Sequence, residues 1–505
     1  MQQPMIQIPA LGGLNFDEAP FLAIWEVTQS CDLACKHCRA AAQPIPHPDQ
    51  LTTEEGKALI DQIAEMKIPI FVFTGGDPMK RPDVYELIRY SAEKGVKVAV
   101  TPSATPLLTR EAIFKMKEAG VVRLGISLDG SCPEIHDKFR GLPGAFARTI
   151  QAVQWANEAG LPIQVHSTIS RHNAHDLDNL CNLFEKLAIV MWNVFFLVPL
   201  GRGQLADLLS GEEFEQVFGK IYELSRRVSF QIKTTEAMHY RRYLLQHNLE
   251  ERKMAHGPGH PGSPLKGDSA LKRHDIGRTD HVALNGHSAL KGHDVSSADD
   301  VAVNGHSALK GHDSSSADDV ASNGQSSLKG HDFSRADDIA NKNVGALAPA
   351  IAAHRVPTDR SASAALAYEP GAPIADPRIR AQTWATRRVN DGKGFMFISH
   401  TGNVYPSGFL PIHAGNIRET ALADIYRHAP IFKSLRDTSQ LEGKCGACEY
   451  KEICGGSRAR AYAMTGDPLA EEPCCIYQPR NWQPREKVEP VARFQLECSP
   501  SLVTL

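Results

Sequence analysis

Between residues 21 and 233 the chain alternates short β-branched and aromatic runs with longer amphipathic stretches. The apolar runs predict strands, and the amphipathic stretches predict helices. The strands are predicted over 21–27, 69–74, 97–101, 122–128, 163–169 and 191–198, and the helices near 53–67, 82–94, 109–119, 144–159, 174–188 and 211–227. This alternation is typical of an α/β fold with a parallel sheet, whose chemistry lies at the carboxyl ends of the strands.

The pattern stops after residue 255. A 19-residue unit recurs over 267–285, 286–304, 305–323 and 324–342, rich in Gly, Ser, Asp, Asn and His and with almost no aromatic residues. Each unit buries too little apolar surface to offset the conformational entropy lost on ordering. We therefore expect 255–380 to be a disordered, duplicated insert, although its histidines leave metal binding open.

Regular structure is predicted again from about residue 380. Residues 395–399 and 402–408 predict a β-hairpin, and the run from Ala421 predicts a helix. The predicted segments are an N-terminal segment 1–20, an α/β core 21–235, a connecting helix 236–254, the insert 255–380, a small domain 381–482 and a C-terminal tail 483–505.

Charge and hydropathy exclude several classes of function. The 505 residues carry a net charge of −3, so no polybasic surface argues for a nucleic-acid partner. No apolar stretch reaches the roughly 18 residues of a membrane span, and residues 1–20 lack the features of a signal peptide. We expect a cytoplasmic protein without membrane or nucleic-acid partners.

The cysteines are clustered. Of 11 in total, three lie at 31, 35 and 38 and five at 445, 448, 454, 474 and 475, while Cys132, Cys181 and Cys498 are scattered. In a chain without a signal peptide, clustering favours metal ligation over disulfides. The scattered three are interpreted as ordinary thiols.

The first cluster, Cys31-x3-Cys35-x2-Cys38, directly follows the first predicted strand. Thiolates are soft ligands that select iron–sulfur clusters or zinc. Three protein ligands, rather than four, leave a position open for a small molecule. A zinc site completed by His37 or by a distant residue is the alternative.

This triplet resembles the signature of the radical S-adenosylmethionine (SAM) superfamily, with His37 at the usually aromatic position before the last cysteine. The resemblance implies a [4Fe–4S] cluster whose fourth iron is chelated by SAM. It also implies that the core is a partial (β/α)6 radical SAM barrel.

Further residues at predicted strand ends support the resemblance. Gly75-Gly76-Asp77-Pro78 is similar to the family's GGEP motif, whose backbone holds the SAM amino group, with Asp in place of Glu. By the same resemblance Ser127, Ser167 and Arg171 are candidates for holding the SAM ribose and carboxylate. The alternative for each is an ordinary loop or strand-end residue with a local hydrogen bond.

The second cysteine cluster consists of Cys445-x2-Cys448-x5-Cys454 followed by Cys474-Cys475. Four close thiolates make a closed site, either zinc or a second iron–sulfur cluster. The segment resembles the SPASM/twitch extension of radical SAM enzymes, a small iron–sulfur domain. Two positions that are normally cysteine there are Ser407 and Arg458, and both belong to one of the two auxiliary clusters. The resemblance therefore implies one auxiliary [4Fe–4S] cluster, on Cys445, Cys448, Cys454 and Cys474, with Cys475 as the alternative fourth ligand.

The resemblance also implies the chemistry. A reduced cluster cleaves SAM to a 5′-deoxyadenosyl radical that abstracts hydrogen from the substrate, and a flavodoxin- or ferredoxin-type protein donates the electron. The sequence around Trp25 and over 454–468 resembles the branch that makes heme b and heme d1 by oxidising propionates. Arg458 and Arg460 are then candidates for pairing with substrate carboxylates, unless they are surface or helix-end charges.

Two other functions remain open at this point. A ribosomally made peptide is the alternative substrate, but about twenty residues before the first strand leave no room for a leader-binding domain. A non-enzymatic iron–sulfur scaffold or electron carrier is the alternative of another class, and it would normally close its cluster with a fourth cysteine. A small-molecule or tetrapyrrole substrate is favoured.

Overall fold

A computed structural model describes residues 15–256, 389–480 and 482–483, which all belong to one compact unit. The repeats, the predicted insert beyond residue 256, the tail beyond 483 and Cys498 lie outside the described residues. The predicted domain boundaries and the disorder of the insert therefore stay predictions.

Within the described residues, ten strands form one open sheet. They are β1 Leu22–Glu26, β2 Ile70–Thr74, β3 Val98–Val100, β4 Arg123–Ser127, β5 Ile163–Ile169, β6 Met191–Phe196, β7 Gln231–Thr235, β8 Phe395–Ile398, β9 Asn403–Tyr405 and β10 Gly415–Asn416. The order is β10-β9-β8-β1-β2-β3-β4-β5-β6-β7. The neighbours from β8 through β1 to β7 pair in parallel, whereas β9 pairs antiparallel with both β8 and β10.

Helices follow most of the parallel strands and cover the sheet. They are α1 Thr53–Glu65, α2 Val84–Glu93, α3 Arg110–Glu118, α4 Pro133–Arg140, α5 Ala145–Glu158, α6 Leu177–Lys186, α7 Gly211–Arg227, α8 Tyr240–His256, α9 Leu422–His428, α10 Pro430–Arg436, α11 Gly443–Ala447 and α12 Arg458–Thr465. Thr52 and Glu55 form a capping box at the start of α1, because each side chain accepts a hydrogen bond from the other residue's backbone. No helix in the described part of the chain is long and apolar enough to span a bilayer.

The predicted fold class is confirmed: six strands and six helices lie where the sequence pattern indicates, within a few residues. The pattern did not indicate β7 or α4. β7 is polar and only half-buried along its whole length, and α4 has eight residues with just His136 and Phe139 buried. The predicted hairpin is present as β8 and β9. In addition, β8 pairs with β1 in parallel, so the C-terminal part of the chain extends the N-terminal sheet.

Aromatic packing fixes β1, the strand that leads to the first cysteine cluster. Trp25 is fully buried, stacks on Phe71 at 6.4 Å between ring centroids and meets Phe73 edge-on at 5.3 Å. Gly56 of α1 lies directly over this indole, where a Cβ atom would be 2.7 Å from Trp25 Cη2. A side chain at Gly56 would displace Trp25, so we expect this glycine to be required for packing rather than for the helix.

Candidate active site and auxiliary metal centre

A cavity of about 460 Å³ runs along the inner face of the sheet and is lined by residues from each of β1 to β8. This volume falls in the range of about 300–1,000 Å³ that is usual for small-molecule sites. The loop Cys31–Cys38, which we call the cysteine loop, follows β1 and borders the cavity. His37 and the thiols of Cys31, Cys35 and Cys38 all line it, so the structure brings the predicted triplet to the carboxyl end of a central strand.

The cysteine loop is held by its neighbours rather than by structure of its own. The backbone N–H of Cys31 donates to the carbonyl of Gln43 at 2.7 Å, and Arg202 Nε donates to the carbonyl of Cys35 at 2.8 Å. The half-buried His37 ring stacks on Phe139 of α4 at 4.3 Å between centroids. These contacts fix where the three thiols point.

A buried ion pair places positive charge beside the thiols. Arg140, the last residue of α4, pairs with the fully buried Asp129 at 2.6 Å, and its second terminal nitrogen lies 3.7 Å from Cys35 Sγ. Burial raises the pKa of the Cys31 thiol above its ordinary value. A bound metal and the nearby guanidinium both favour the thiolate form, so the site suits an anionic metal–thiolate group.

The two glycines after β2 serve the cysteine loop directly. Gly75 and Gly76 line the cavity, and a Cβ atom on either would collide with the carbonyl oxygen of Thr28 or Ser30, in the segment that leads into the loop. The backbone N–H of Gly76 also donates to the carbonyl of Thr28 at 2.8 Å. The sequence predicted that these glycines let a ligand approach the backbone closely. In the structure they let the backbone of the segment that leads into the cysteine loop approach closely.

Asp77 and Pro78 are not among the residues that line the cavity. The fully buried Asp77 carboxylate accepts hydrogen bonds from Thr105 Oγ1 at 2.8 Å and from the backbone N–H of Met79 at 3.1 Å. Burial raises its pKa above the ordinary value. Its observed role is to cap the short 3-10 helix over 78–80 and to hold the next loop.

Of the three predicted SAM-contact side chains, the structure brings one to the cavity. Ser127, at the end of β4, lines it. Ser167 lies on the opposite face of β5, where its hydroxyl accepts a hydrogen bond from Trp192 Nε1 at 3.0 Å and donates to the carbonyl of Leu128. Arg171 is half-exposed and pairs with Glu213 at 3.2 Å. The structure does not bring Ser167 and Arg171 to the cavity, and their assignment as SAM contacts has no support from this geometry.

The sequence patterns did not indicate a buried pair of carboxyl groups, Glu236 after β7 and Asp391 before β8. Both line the cavity, are almost fully buried and hydrogen-bond to each other, and the Ser457 hydroxyl donates to Glu236 Oε2. Burial raises the pKa of Glu236 well above its ordinary value, and the negative charge of Asp391 raises it further. This environment favours the protonated, neutral form of Glu236. Glu236 has a φ of 58°, a strained value for a residue other than glycine.

The C-terminal cysteines converge on a second, smaller cavity. Cys445, Cys448, Cys454 and Cys475 line it. Cys474 does not, because its thiol points away toward the carbonyl of Leu209 at 3.9 Å. The structure thus brings together the first three predicted ligands and the alternative fourth one. Burial raises the pKa of Cys475 to about 12, so a bound metal would be needed to hold it as thiolate.

The spacing of these side chains bears on the kind of metal group. Among the described residues, no three Cys, His, Asp or Glu side chains are close enough to hold a single metal ion. Thiols that share one zinc ion must all lie about 2.3 Å from it, whereas the thiolates of a [4Fe–4S] cluster bind different irons. The arrangement fits a cluster better than a zinc ion at both sites.

Arg458 and Arg460, predicted to meet substrate carboxylates, are used inside the protein. Arg458 donates to the carbonyl of Pro468 at 3.0 Å, and Arg460 pairs with the buried Glu472 at 2.8 Å. Both arginines are buried, and neither lines the large cavity. This prediction is therefore wrong, because the protein itself supplies the partners of both guanidinium groups.

Comparisons with known proteins agree with this geometry. The family model of the radical SAM superfamily matches residues 25–184, and that of an iron–sulfur cluster-binding domain, SPASM, matches residues 390–449. The AdoMet-dependent heme synthase of Oleidesulfovibrio alaskensis is 33% identical over 461 residues, which cover 91% of this chain and 88% of that protein. The pre-heme d1 synthase of Dinoroseobacter shibae is 23% identical, covering 90% of this chain and 85% of that protein.

A solved structure shows the same fold. The crystal structure of Streptococcus suis SuiB bound to its precursor peptide SuiA matches with a TM-score of 0.53 and 12% identity, covering 91% of this chain and 76% of that one. At this identity the likeness concerns the fold alone.

Proposed function

Because this chain belongs to the radical SAM superfamily and carries its SPASM domain, we propose that it is a heme-synthase-like enzyme that oxidatively decarboxylates propionate side chains of an iron tetrapyrrole. One observation carries the proposal: the three thiols of the cysteine loop and the Glu236–Asp391 pair border the same large cavity. The similarity to a heme synthase covers 91% of this chain and 88% of that relative.

The residues of the cysteine loop fit the cofactor of the family. Cys31, Cys35 and Cys38 would hold a [4Fe–4S] cluster with one iron left for SAM, and Gly75 and Gly76 would shape the backbone beside it. When bound and reduced, that cluster supplies the electron that cleaves SAM to methionine and a 5′-deoxyadenosyl radical. The chain itself provides burial, which keeps water from the reacting groups, and the positive charge of the nearby arginine.

The second site fits an auxiliary [4Fe–4S] cluster with four protein ligands, Cys445, Cys448, Cys454 and Cys475. Arg242, Lys444 and Lys451 line the same small cavity and would offset the negative charge of a thiolate cluster. A cluster there would supply an acceptor for the electron released when the substrate radical becomes product.

Two finer expectations belong to the same proposal. Because SAM cleavage consumes one electron, we propose a flavodoxin- or ferredoxin-type donor. We also keep the expectation of a cytoplasmic protein.

The test is SAM cleavage by the anaerobically reconstituted protein with dithionite, in the presence and absence of iron-coproporphyrin III. We expect 5′-deoxyadenosine formation to increase with the porphyrin, and the porphyrin to lose the carboxyl group and one hydrogen of each propionate that reacts. Cys35→Ala is the matched control, which should retain the auxiliary cluster and lose cleavage.

Other results would contradict the proposal. Cleavage that the porphyrin does not stimulate would refute the tetrapyrrole substrate and favour a peptide, as bound in the SuiB structure. Absence of cleavage with both clusters loaded would refute the enzyme and leave an iron–sulfur scaffold or electron carrier.

A further inference from the structure

Arg123 lines the large cavity, and one nitrogen of its guanidinium has no hydrogen-bond partner in the described part of the chain. It is the first residue of β4 and lines the cavity near the edge of the sheet opposite the carboxyl ends that carry the cysteine loop. Its Nε is buried and has no hydrogen-bond partner among the described residues. Burial alone lowers the pKa of this guanidinium, with no acidic group to raise it.

Other buried arginines of the described chain do have partners within the protein: Arg458 donates to the carbonyls of Pro468 and Ala470, and three more have acidic partners. Arg140 pairs with Asp129 at 2.6 Å, Arg81 with Asp83 at 2.8 Å and Arg460 with Glu472 at 2.8 Å. A buried charge without a partner is costly, because desolvation is not offset. Arg123 therefore lacks the kind of partner that this fold supplies elsewhere, which points to a partner from outside the chain.

The surroundings of Arg123 leave room for such a partner. The residue opposite Arg123 on β3 is Ala99, which has no long side chain, whereas the His166 ring and the Thr101 methyl group lie over Gly125, the next cavity-lining position on β4. On β5, Gln164 and His166 face the same cavity and add hydrogen-bonding groups. A guanidinium with these neighbours suits a carboxylate, which it can bind through two parallel hydrogen bonds.

We propose that Arg123 binds a peripheral carboxylate of the substrate that does not itself react, and thereby sets which side chain is presented at the cysteine loop. This inference rests on the proposed function, because a tetrapyrrole with several propionates offers such a carboxylate at a distance from the reacting one. Arg123 is then a residue that determines substrate position and specificity.

The test compares the wild type with Arg123→Leu and Arg123→Lys in anaerobic absorption titrations of the reconstituted protein. The probes are iron-coproporphyrin III and its tetramethyl ester. Arg123→Leu should bind the tetra-acid at least ~30-fold more weakly, as expected for the loss of one partner of a buried charge pair. Its affinity for the ester should equal that of the wild type. Arg123→Lys should fall between, because an ammonium cannot form the two parallel bonds.

Thermal unfolding separates this role from a structural one. Arg123→Leu removes a buried charge that has no partner, so its melting temperature without porphyrin should equal or exceed that of the wild type. The matched control is Arg110→Leu, which removes an exposed arginine paired with Glu158 and should leave porphyrin affinity unchanged.

The outcomes distinguish this inference from the proposed function. If the wild type turns over the porphyrin and Arg123→Leu binds the porphyrin with unchanged affinity, the role of Arg123 is overturned but the proposed function is not. A lower melting temperature in Arg123→Leu with equal loss of affinity for acid and ester also overturns it, because the residue would then act through the fold. Absence of porphyrin binding by the wild type overturns both.

Discussion

Replacing Arg460 by methionine should cost the protein about 3–5 kcal/mol of its free energy of unfolding, as is usual when one partner of a buried ion pair is removed. Arg460 and Glu472 are both fully buried, with distances of 2.8 Å for Nε–Oε1 and 3.2 Å for a terminal nitrogen to Oε2. The same guanidinium donates to the carbonyls of Leu197 and Glu236. It therefore ties α12 to the ends of β6 and β7, and its loss would leave a carboxylate and two carbonyls short of donors.

The pKa of Glu472 reports the net effect of its surroundings in the fold. Burial raises it, but the charges of Arg460 and His239 and the hydrogen bonds from Arg460 and the Ser457 backbone together outweigh burial and lower the pKa from 4.5 to about 2. At about 1.36 kcal/mol per pH unit, this difference corresponds to about 3 kcal/mol. Because the pKa of Glu472 is lowered in the folded protein, the ionised carboxyl group contributes its full share to the free energy of unfolding above about pH 4.5. This contribution is lost as the pH falls toward 2.

The assay is anaerobic thermal unfolding of the reconstituted protein, followed by circular dichroism. Arg460→Met should lower the melting temperature by about 5–10 °C. Arg110→Met is the matched control, because its pair with Glu158 is exposed and should contribute less than about 1 kcal/mol. The reasoning is refuted if Arg460→Met loses no more stability than this control. It is also refuted if the double variant Arg460→Met/Glu472→Gln is less stable than the single one, because the neutral amide removes the carboxylate charge left alone while its oxygen can still accept a hydrogen bond from the Ser457 or Cys474 backbone.

Three further predictions follow from the sites. Cys475→Ser should lose the iron of the auxiliary cluster, whereas Cys474→Ser should keep it, as measured by iron content and visible absorbance; equal losses would refute the assignment of Cys475. Cys35→Ala should abolish 5′-deoxyadenosine formation while about half of the iron remains bound, because each of the two [4Fe–4S] clusters contains the same number of irons. The wild type should lose stability as the pH rises from about 4.5 toward the raised pKa of Glu236, and Glu236→Gln should lose less, which denaturant midpoints at pH about 5 and about 8 would show.

The sheet was largely predictable because several of its strands are apolar both on the buried face and on the half-buried face that lines the cavity. Runs such as 69–74 and 191–198 are almost continuously β-branched or aromatic, which is typical of parallel strands covered by helices. β7 has the sequence Gln-Ile-Lys-Thr-Thr and lies at one edge of the sheet, so it carries no such signal. The pairing of β8 with β1 joins residues more than 370 positions apart, and no local pattern reports it.

Spacing identified the thiols, but it could not assign the side chains around them. In β5 the positions alternate, so Gln164, His166 and Thr168 face the cavity while Ser167 faces the helices. That alternation was available in the sequence and would have favoured His166 or Thr168 over Ser167. The sequence could not decide between Cys474 and Cys475, because adjacent residues in a loop differ only in the direction in which their side chains point. The Glu236–Asp391 pair is formed by segments that meet only after folding.

Arg460 and Arg123 show why burial alone does not separate structural from functional charges. In the sequence Arg123 lies in a predicted strand and Arg460 in the cysteine-rich C-terminal segment, and of these two only Arg460 was expected to meet a substrate. The structure reverses this order: Arg460 has a carboxylate and two carbonyls as partners, whereas Arg123 faces the cavity and its Nε has no partner among the described residues. The desolvation cost of the first is offset within the fold. In our proposal a bound carboxylate offsets that of the second, because a guanidinium nitrogen without a partner among the described residues gains from pairing with an anion.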